Sequence, residues 1–457
     1  MRLGGSTTGV RFRAVAVMLA AALGLAACGT DTNGSGAAAG QSAAPGQPGQ
    51  SGGNATAQYA PTGAYTLASG SATKTGTIAA SAQDQSGVLV TGGTLTLNGV
   101  EVTTTGASSS SDESSFYGLN AGVLANGGTL AMRGGSVTTS GDGANGVFAY
   151  GKAVVTVSGT TIDATGQYAH GIMASGGGTI TATDLTVTTA GGSSAPIATD
   201  RGGGTITVTG GSYRSSGANS PAIYSTGEIA ATGGVYAATG SEVVVIEGAN
   251  SVTLTDAALT ASKAGKWGVM IYQSMSGDAA GNKGTYTQTG GSLTETAADS
   301  PLFYVTNTTG VITLSGVKLT AGSGILLKAA AGQWGTAGSN GGTVQLAASG
   351  QTLAGDVVAD ASSSVTISLA KGSTLVGAVD TADTAKAATV ALDASSAWTV
   401  TADSHLTALT GAVVSGATIT NITGNGHTVT YDAGDSANAY LGGKTYALTG
   451  GGSLVAA

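Results

Sequence analysis

Along most of this chain apolar and polar residues alternate one by one in short runs, and the runs return every 23 to 26 residues. The core of each copy reads as a half-buried strand: Thr94-Leu-Thr-Leu97, Val154-Val-Thr-Val157, Thr179-Ile-Thr-Ala182, Thr205-Ile-Thr-Val208, Ser251-Val-Thr-Leu254 and Val311-Ile-Thr-Leu314. Period two sends one set of side chains inward and the other outward. The predicted inward pairs are Leu95/Leu97, Leu130/Met132, Val155/Val157, Ile180/Ala182, Ile206/Val208, Ile229/Ala231, Val252/Leu254, Ile312/Leu314 and Val344/Leu346. Each run is followed by a turn of Gly, Asn, Asp or Ser and a second alternating stretch, such as Val100-Glu-Val-Thr103 or Leu185-Thr-Val-Thr188. A third recurring element is a short apolar strand opened by Gly or Pro, as in Gly146-Val-Phe-Ala149, Gly171-Ile-Met-Ala174 and Pro221-Ala-Ile-Tyr224. A unit this small cannot bury its own apolar face, so the copies must stack. Three strands and three turns per period predict an all-β, single-stranded parallel β-helix. Helical solenoids fail on the scarcity of leucine and the absence of a sustained 3.6-residue apolar period. A β-sandwich has no need of a fixed period.

The chain divides into four stretches. Residues 1–27 read as an export signal, with Arg2, Arg11 and Arg13 ahead of an unbroken apolar run from Ala14 to Ala27. That run is shorter than the roughly 20 residues a membrane-spanning helix needs. It ends in Leu25-Ala26-Ala27-Cys28, which resembles the lipobox of bacterial lipoproteins. The resemblance implies cleavage before Cys28, a diacylglyceryl group on its sulfur, and an extracytoplasmic protein anchored to the cell membrane by lipid. Residues 28–58, rich in Gly, Ser, Ala, Gln and Pro, read as a disordered tether. Residues 59–334 hold the regular repeats, and 335–457 keep alternating strands at looser spacing, ending in a cap.

Composition narrows the function. Cys28 is the only cysteine, so disulfides are excluded. Removing residues 1–27 takes three arginines and no acid, leaving 13 basic against 24 acidic side chains, a net charge of −11. Nucleic-acid binding is disfavoured, since no basic patch replaces phosphate counterions. His170, His405 and His427 have no metal-ligand spacing, and no cofactor is implied.

Ala387 to Leu409, with Trp398, Val400, Ser404, Leu406 and Leu409, resembles the C-terminal end of pertactin-like autotransporter passenger domains. That resemblance implies a right-handed β-helix whose last coils act as a stacking cap. The sequence ends at Ala457 without a translocator barrel, which the lipid anchor would replace.

Candidate functional residues fall in three groups. Thr96, Thr156, Thr181, Thr207, Thr253, Thr287 and Thr313 form an outward column, read here as solvated strand surface because the paired Thr-x-Thr of a water-ordering face is not evident in every coil. Aligned at the end of the Gly/Pro-opened strands, Tyr150, Ser175, Asp200, Ser225, Glu247 and Tyr272 make a second outward column. In it Asp200 and Glu247 stand two coils apart, roughly 10 Å, near the separation of inverting glycosidase carboxylates. Arg201 and His170 are expected on adjacent coils. The third group is an insertion at 274–283, expected as an extruded loop, where Trp267, Tyr272, Lys266, Asp278 and Lys283 gather aromatic and polar groups; a Ser/Asp/Glu insertion at 108–117 ends in Phe116 and Tyr117. The expected function is a monomeric, lipid-anchored surface module for adhesion or for binding glycan, cell wall or protein. The alternatives are a β-helix carbohydrate-active enzyme using Asp200 and Glu247, and a structural spacer.

Overall fold

A computed structural model describes residues 61–457. The signal, Cys28 and the whole tether lie outside the described residues. The rest is a parallel β-solenoid of about 16 turns with very little helix. Three parallel sheets run along the rod: sheet I with 12 strands, sheet II with 14 and sheet III with 10. A nine-stranded sheet IV takes over from sheet III near the C-terminus.

The alternation does what its period requires. All nine predicted inward pairs are buried, and they join one continuous apolar interior. Stacking is in register, so each column meets its own kind: Val155 pairs with Ile180, Ile180 with Ile206, and Ile206 with Ile229. On sheet III the interior column is Val102, Val137, Ile162, Val187, Tyr213, Tyr236 and Leu259. The Tyr213 and Tyr236 rings stack there at 5.1 Å and 5°.

Two of the corners are built from backbone rather than side chain. Between sheets II and III the regular coils leave sheet II through a left-handed residue, which a second positive-φ glycine follows at Gly135, Gly211, Gly234 and Gly291. The first is glycine at Gly134, Gly159, Gly210, Gly233 and Gly290, and aspartate at Asp184 and Asp256. Aspartate tolerates that conformation better than most residues that carry a Cβ. The ladder continues through the corner, with Gly159 N donating to Thr183 O at 3.0 Å and Asp184 N to Thr209 O at 2.8 Å. Leaving sheet III, glycines stack directly: Gly141, Gly166, Gly191, Gly217 and Gly240, where a Cβ on each would strike the carbonyl of the glycine one coil before. Here the constraint is space, since none of these has a positive φ.

Three coils are much longer than the rest. Equivalent positions on sheet II are 25 or 26 residues apart from Thr129 to Thr205, and 23 apart from there to Ser251. Thr94 to Thr129 takes 35, Ser251 to Thr285 takes 34, and Val311 to Gln345 takes 34. The extra residues lie at corners that flank sheet I.

At the C-terminal end, Trp398 is fully buried, its Nε1 donating to Gly377 O at 2.8 Å. Val400, Ser404, Leu406 and Leu409 are buried in the same last coils. Antiparallel pairs close the ladder, Val414 with Ile419 and Tyr446 with Leu454. An edge paired within its own chain offers no template for another strand.

Gly191→Ala tests the glycine stack. Forcing a Cβ against the Gly166 carbonyl is expected to cost about 1–3 kcal/mol, read as a lower urea midpoint.

Candidate functional site

Sheet I differs from the other two because its outer face is also apolar and also covered. In register along it run Leu124, Phe148, Met173, Ala198, Tyr224, Val245, Met270 and Tyr304. These form a second buried cluster, separate from the interior. The cover comes from the three lengthened coils. The first supplies the short helix Ser111–Tyr117, capped by Ser110 accepting from Glu113 N at 3.2 Å. Phe116 of that helix is buried; its carbonyl accepts from Ser175 Oγ at 2.6 Å, and the Ser114 carbonyl accepts from Asn145 Nδ2 at 3.0 Å. The second supplies residues 273–282, held by Gln273 Nε2 donating to Ala279 O at 3.1 Å and by Asn307 Nδ2 donating to Gln273 O at 2.6 Å. The third, residues 331–341, is tied by Asn340 Nδ2 to the carbonyls of Gly332 and Trp334.

The insertion at 274–283 was expected to stand out from the rod; it folds back as a strap, because the apolar outer face of sheet I gives it a surface to bury against. Asp200 and Glu247, expected in the outward column, are likewise underneath, as is Asp278. Asp200 is 2% exposed, Glu247 0% and Asp278 6%. Glu247 Oε2 accepts from Tyr224 Oη and from Tyr272 Oη, both at 2.7 Å, and its Oε1 accepts from Ser274 Oγ. Ser276 Oγ donates to Asp278 Oδ2 at 2.9 Å. Arg201 reaches from the sheet to the strap, its guanidinium 2.7 Å from Asp278 Oδ1, while lying 3.8 Å over the Phe116 ring. One side chain thus joins sheet, helix and strap. Asp200 accepts from Arg201 N at 2.6 Å. Burial first, and then the nearby Asp278 charge, push its carboxyl well above the usual range.

The expected column needs two corrections. Ser225 pairs with Ile246, so Thr226, not Ser225, stands between Asp200 and Glu247. The Pro that opens that strand sits one residue earlier than its counterpart in the coil before, since Ile197 pairs with Ile223. Asp200 and Glu247 remain two coils apart. His170 belongs elsewhere. It precedes its sheet I strand, whereas Asp200 follows one, and it stacks on the corner beside Asn145. Its backbone N donates to Asn145 Oδ1 at 2.8 Å and its Nδ1 accepts from Ala195 N at 2.9 Å. That bond leaves the ring proton on Nε2, which is buried without a hydrogen-bond partner among the described residues. Burial pulls the imidazole down to about 4, so it is neutral and structural.

The aromatic candidates do converge. Trp267 stacks on Tyr304 at 4.1 Å and 14°, and Tyr272 meets Trp334 at 4.7 Å. Trp334, absent from the sequence reading, joins because the third lengthened coil returns to the same face. Trp267 and Trp334 are half-buried. Tyr150 packs edge-on against Tyr117 at 5.4 Å, at the helix end of the face. Lys266 is buried, 3.0 Å from Asn219 Oδ1 and 3.8 Å from Glu242, and takes no part in the patch. Lys283 is exposed on sheet II, paired with Thr309. Among the described residues no three acids, histidines or cysteines are grouped to hold a metal, and no helix is long and apolar enough to cross a membrane.

No family model matches this chain, and neither a curated protein nor a solved structure matches it.

Asp200 supplies a pH test. Because its folded pKa is raised, the stability it contributes is whole below the unfolded carboxylate value of about 4 and is lost as pH rises through the folded one. Asp200→Asn keeps the acceptor for Arg201 N and removes the loss. It should melt above the parent at neutral pH, with the gap closing as the pH falls below about 4.

Proposed function

We propose that this protein is a lipid-anchored, extracytoplasmic glycan-binding module, a rigid solenoid that displays a binding patch on sheet I rather than a catalyst. The observation that supports this most directly is the paired aromatic patch. Trp267 and Trp334 are half-buried, each backed by a buried tyrosine that fixes its ring. Fixed aromatic planes with one open side suit sugar rings, which present C–H faces. Flanking polar groups on the strap would complete the contacts. The acidic balance of the chain favours neutral over polyanionic glycan.

Hydrolysis has weaker support. A pair of carboxylates acting on a glycosidic bond needs room for sugar and water between them. Here both acids lie beneath the strap, and Glu247 spends both oxygens on hydroxyls of its own chain. The anchor follows from the lipobox resemblance at Cys28 and would hold the module at the membrane.

Pull-down on an array of insoluble glycans tests the patch. Trp267→Ala and Trp334→Ala are each expected to weaken retention by on the order of 1 kcal/mol or more. Retention unchanged in both, or release of sugar ends that Glu247→Gln abolishes, would overturn the reading. Cys28→Ser should move the protein from the membrane to the soluble fraction.

A further inference from the structure

The outer face of sheet II has no cover and a different chemistry. The strands run one residue beyond the four-residue cores legible in the sequence, and that fifth residue also faces outward. With the first and third residues of each core this makes three outward columns, where the central threonines alone made one. In the seven consecutive coils from Val154–Ser158 to the strand ending at Ser315 there are twenty-one such positions. All but Val154, Glu228, Ala230 and Val311 carry a hydroxyl. The central and third columns pair as Thr181/Thr183, Thr207/Thr209, Thr253/Thr255 and Thr287/Thr289, and the third continues unbroken through Thr232. The Thr-x-Thr pair is therefore present in four of the seven coils, and Thr179, Thr205 and Thr285 extend three of those to Thr-x-Thr-x-Thr.

We infer that this face binds ice. The register repeats without a bulge, so neighbouring hydroxyls stand about 4.8 Å apart along the rod and about 6.7 Å apart along a strand. Threonine is β-branched, with restricted χ1, so each position offers a methyl and a hydroxyl in a narrow range of directions. A hydroxyl donates one hydrogen bond and accepts two, and waters bridging two hydroxyls inherit the spacing of the columns. Methyls between them leave such waters few other partners. The result is a rank of water held on a two-dimensional lattice, the surface that a growing crystal of water extends.

Other partners fit less well. Glu228 is the single charge among the twenty-one positions, so a charged polymer finds nothing to pair with. None of the twenty-one is aromatic or an amide, so a soluble sugar finds neither a stacking plane nor a bidentate partner. The face of sheet III, by contrast, mixes Asp163 and Arg214 among its threonines. Val154 and Val311 interrupt only the first column, at the two ends of the stretch; the one gap inside the lattice lies in the coil of Glu228 and Ala230. At Ala230 the central column lacks its hydroxyl, and with Glu228 this opens a depression of about 140 Å³ lined also by Thr205, Ser251 and Thr253.

This inference stands apart from glycan binding on sheet I, and its test can fail alone. The full chain is mixed with a slowly growing ice hemisphere, and its partition into ice is compared with that of an inert protein. Enrichment in the ice fraction is expected. Thr207→Tyr with Thr253→Tyr should abolish it, while Thr188→Tyr on sheet III should leave it intact; matching melting curves confirm that each variant folds. Ala230→Thr with Glu228→Thr repairs the lattice and should raise the partition. Exclusion of the parent from ice, or equal partition of the Thr207/Thr253 variant, overturns the inference. So does retention on an insoluble neutral polysaccharide that is lost in that variant while ice partition is unchanged.

Discussion

Register between successive coils is the constraint on which everything else in this molecule depends. In a parallel solenoid the backbone bonds run along the rod, and a one-residue slip would turn every inward side chain to the solvent. Each coil must therefore return to its starting column. Lengthening is tolerated only at a corner, where extra residues can leave the ladder and rejoin it. The corner between sheets II and III offers no such freedom through the regular coils: one or two left-handed residues turn the chain while the N–H of the first stays in the ladder. The corners flanking sheet I are looser, and all three long coils use them.

Two outer surfaces of opposite character follow. Sheet II keeps its repeat bare, and bare strands in water favour short β-branched polar residues. Sheet I receives the helix, the strap and the third loop, so its outer residues meet protein. Once covered, Phe148, Met173 and Met270 become core, and any acid in the same region must find donors inside the protein. Glu247 has them in Tyr224, Tyr272 and Ser274. Asp200 is less well provided: burial first, and then the neighbouring Asp278 carboxylate, raise its pKa against the lowering effect of the Arg201 N–H bond.

Much of the fold was legible because period two and the coil period are both local patterns. Leu95/Leu97 through Val344/Leu346 could be assigned inward from alternation alone. Alternation says which residues share a face, however, and not what lies over that face. Asp200 and Glu247 do face away from the interior of the rod, as the outward column requires, but they lie under cover. The missed signal was in the same strands: Ile172–Ser175, Val244–Glu247 and Val269–Tyr272 are apolar at nearly every position, as strands buried on both sides are. Ser225 was displaced because Pro221 marks its strand one position early. His170 was misplaced because adjacency of coils does not imply the same end of a strand. Trp334 lay where the pattern loosens, beyond the reach of any alignment by period.

The fifth residue of each sheet II strand shows how a small error in length can conceal chemistry. Counting only the central outward residue of each strand gives one threonine per coil; counting the first and the fifth as well gives up to three, as at Thr205, Thr207 and Thr209. The first is ordinary solvated surface, and the second is a lattice. The difference matters because order in a hydration layer depends on neighbours in two directions. A single column fixes spacing along the rod only, whereas adjacent columns fix it along the strand as well. In-register stacking, which bare backbone hydrogen bonding requires for the interior, is also what makes the outside periodic. A sheet with bulges or slipped coils would bury the same leucines and valines nearly as well, but its hydroxyls would share no common spacing. The regularity of the bare face is thus inherited from the core, and the irregularity of the covered face from the corners that feed it.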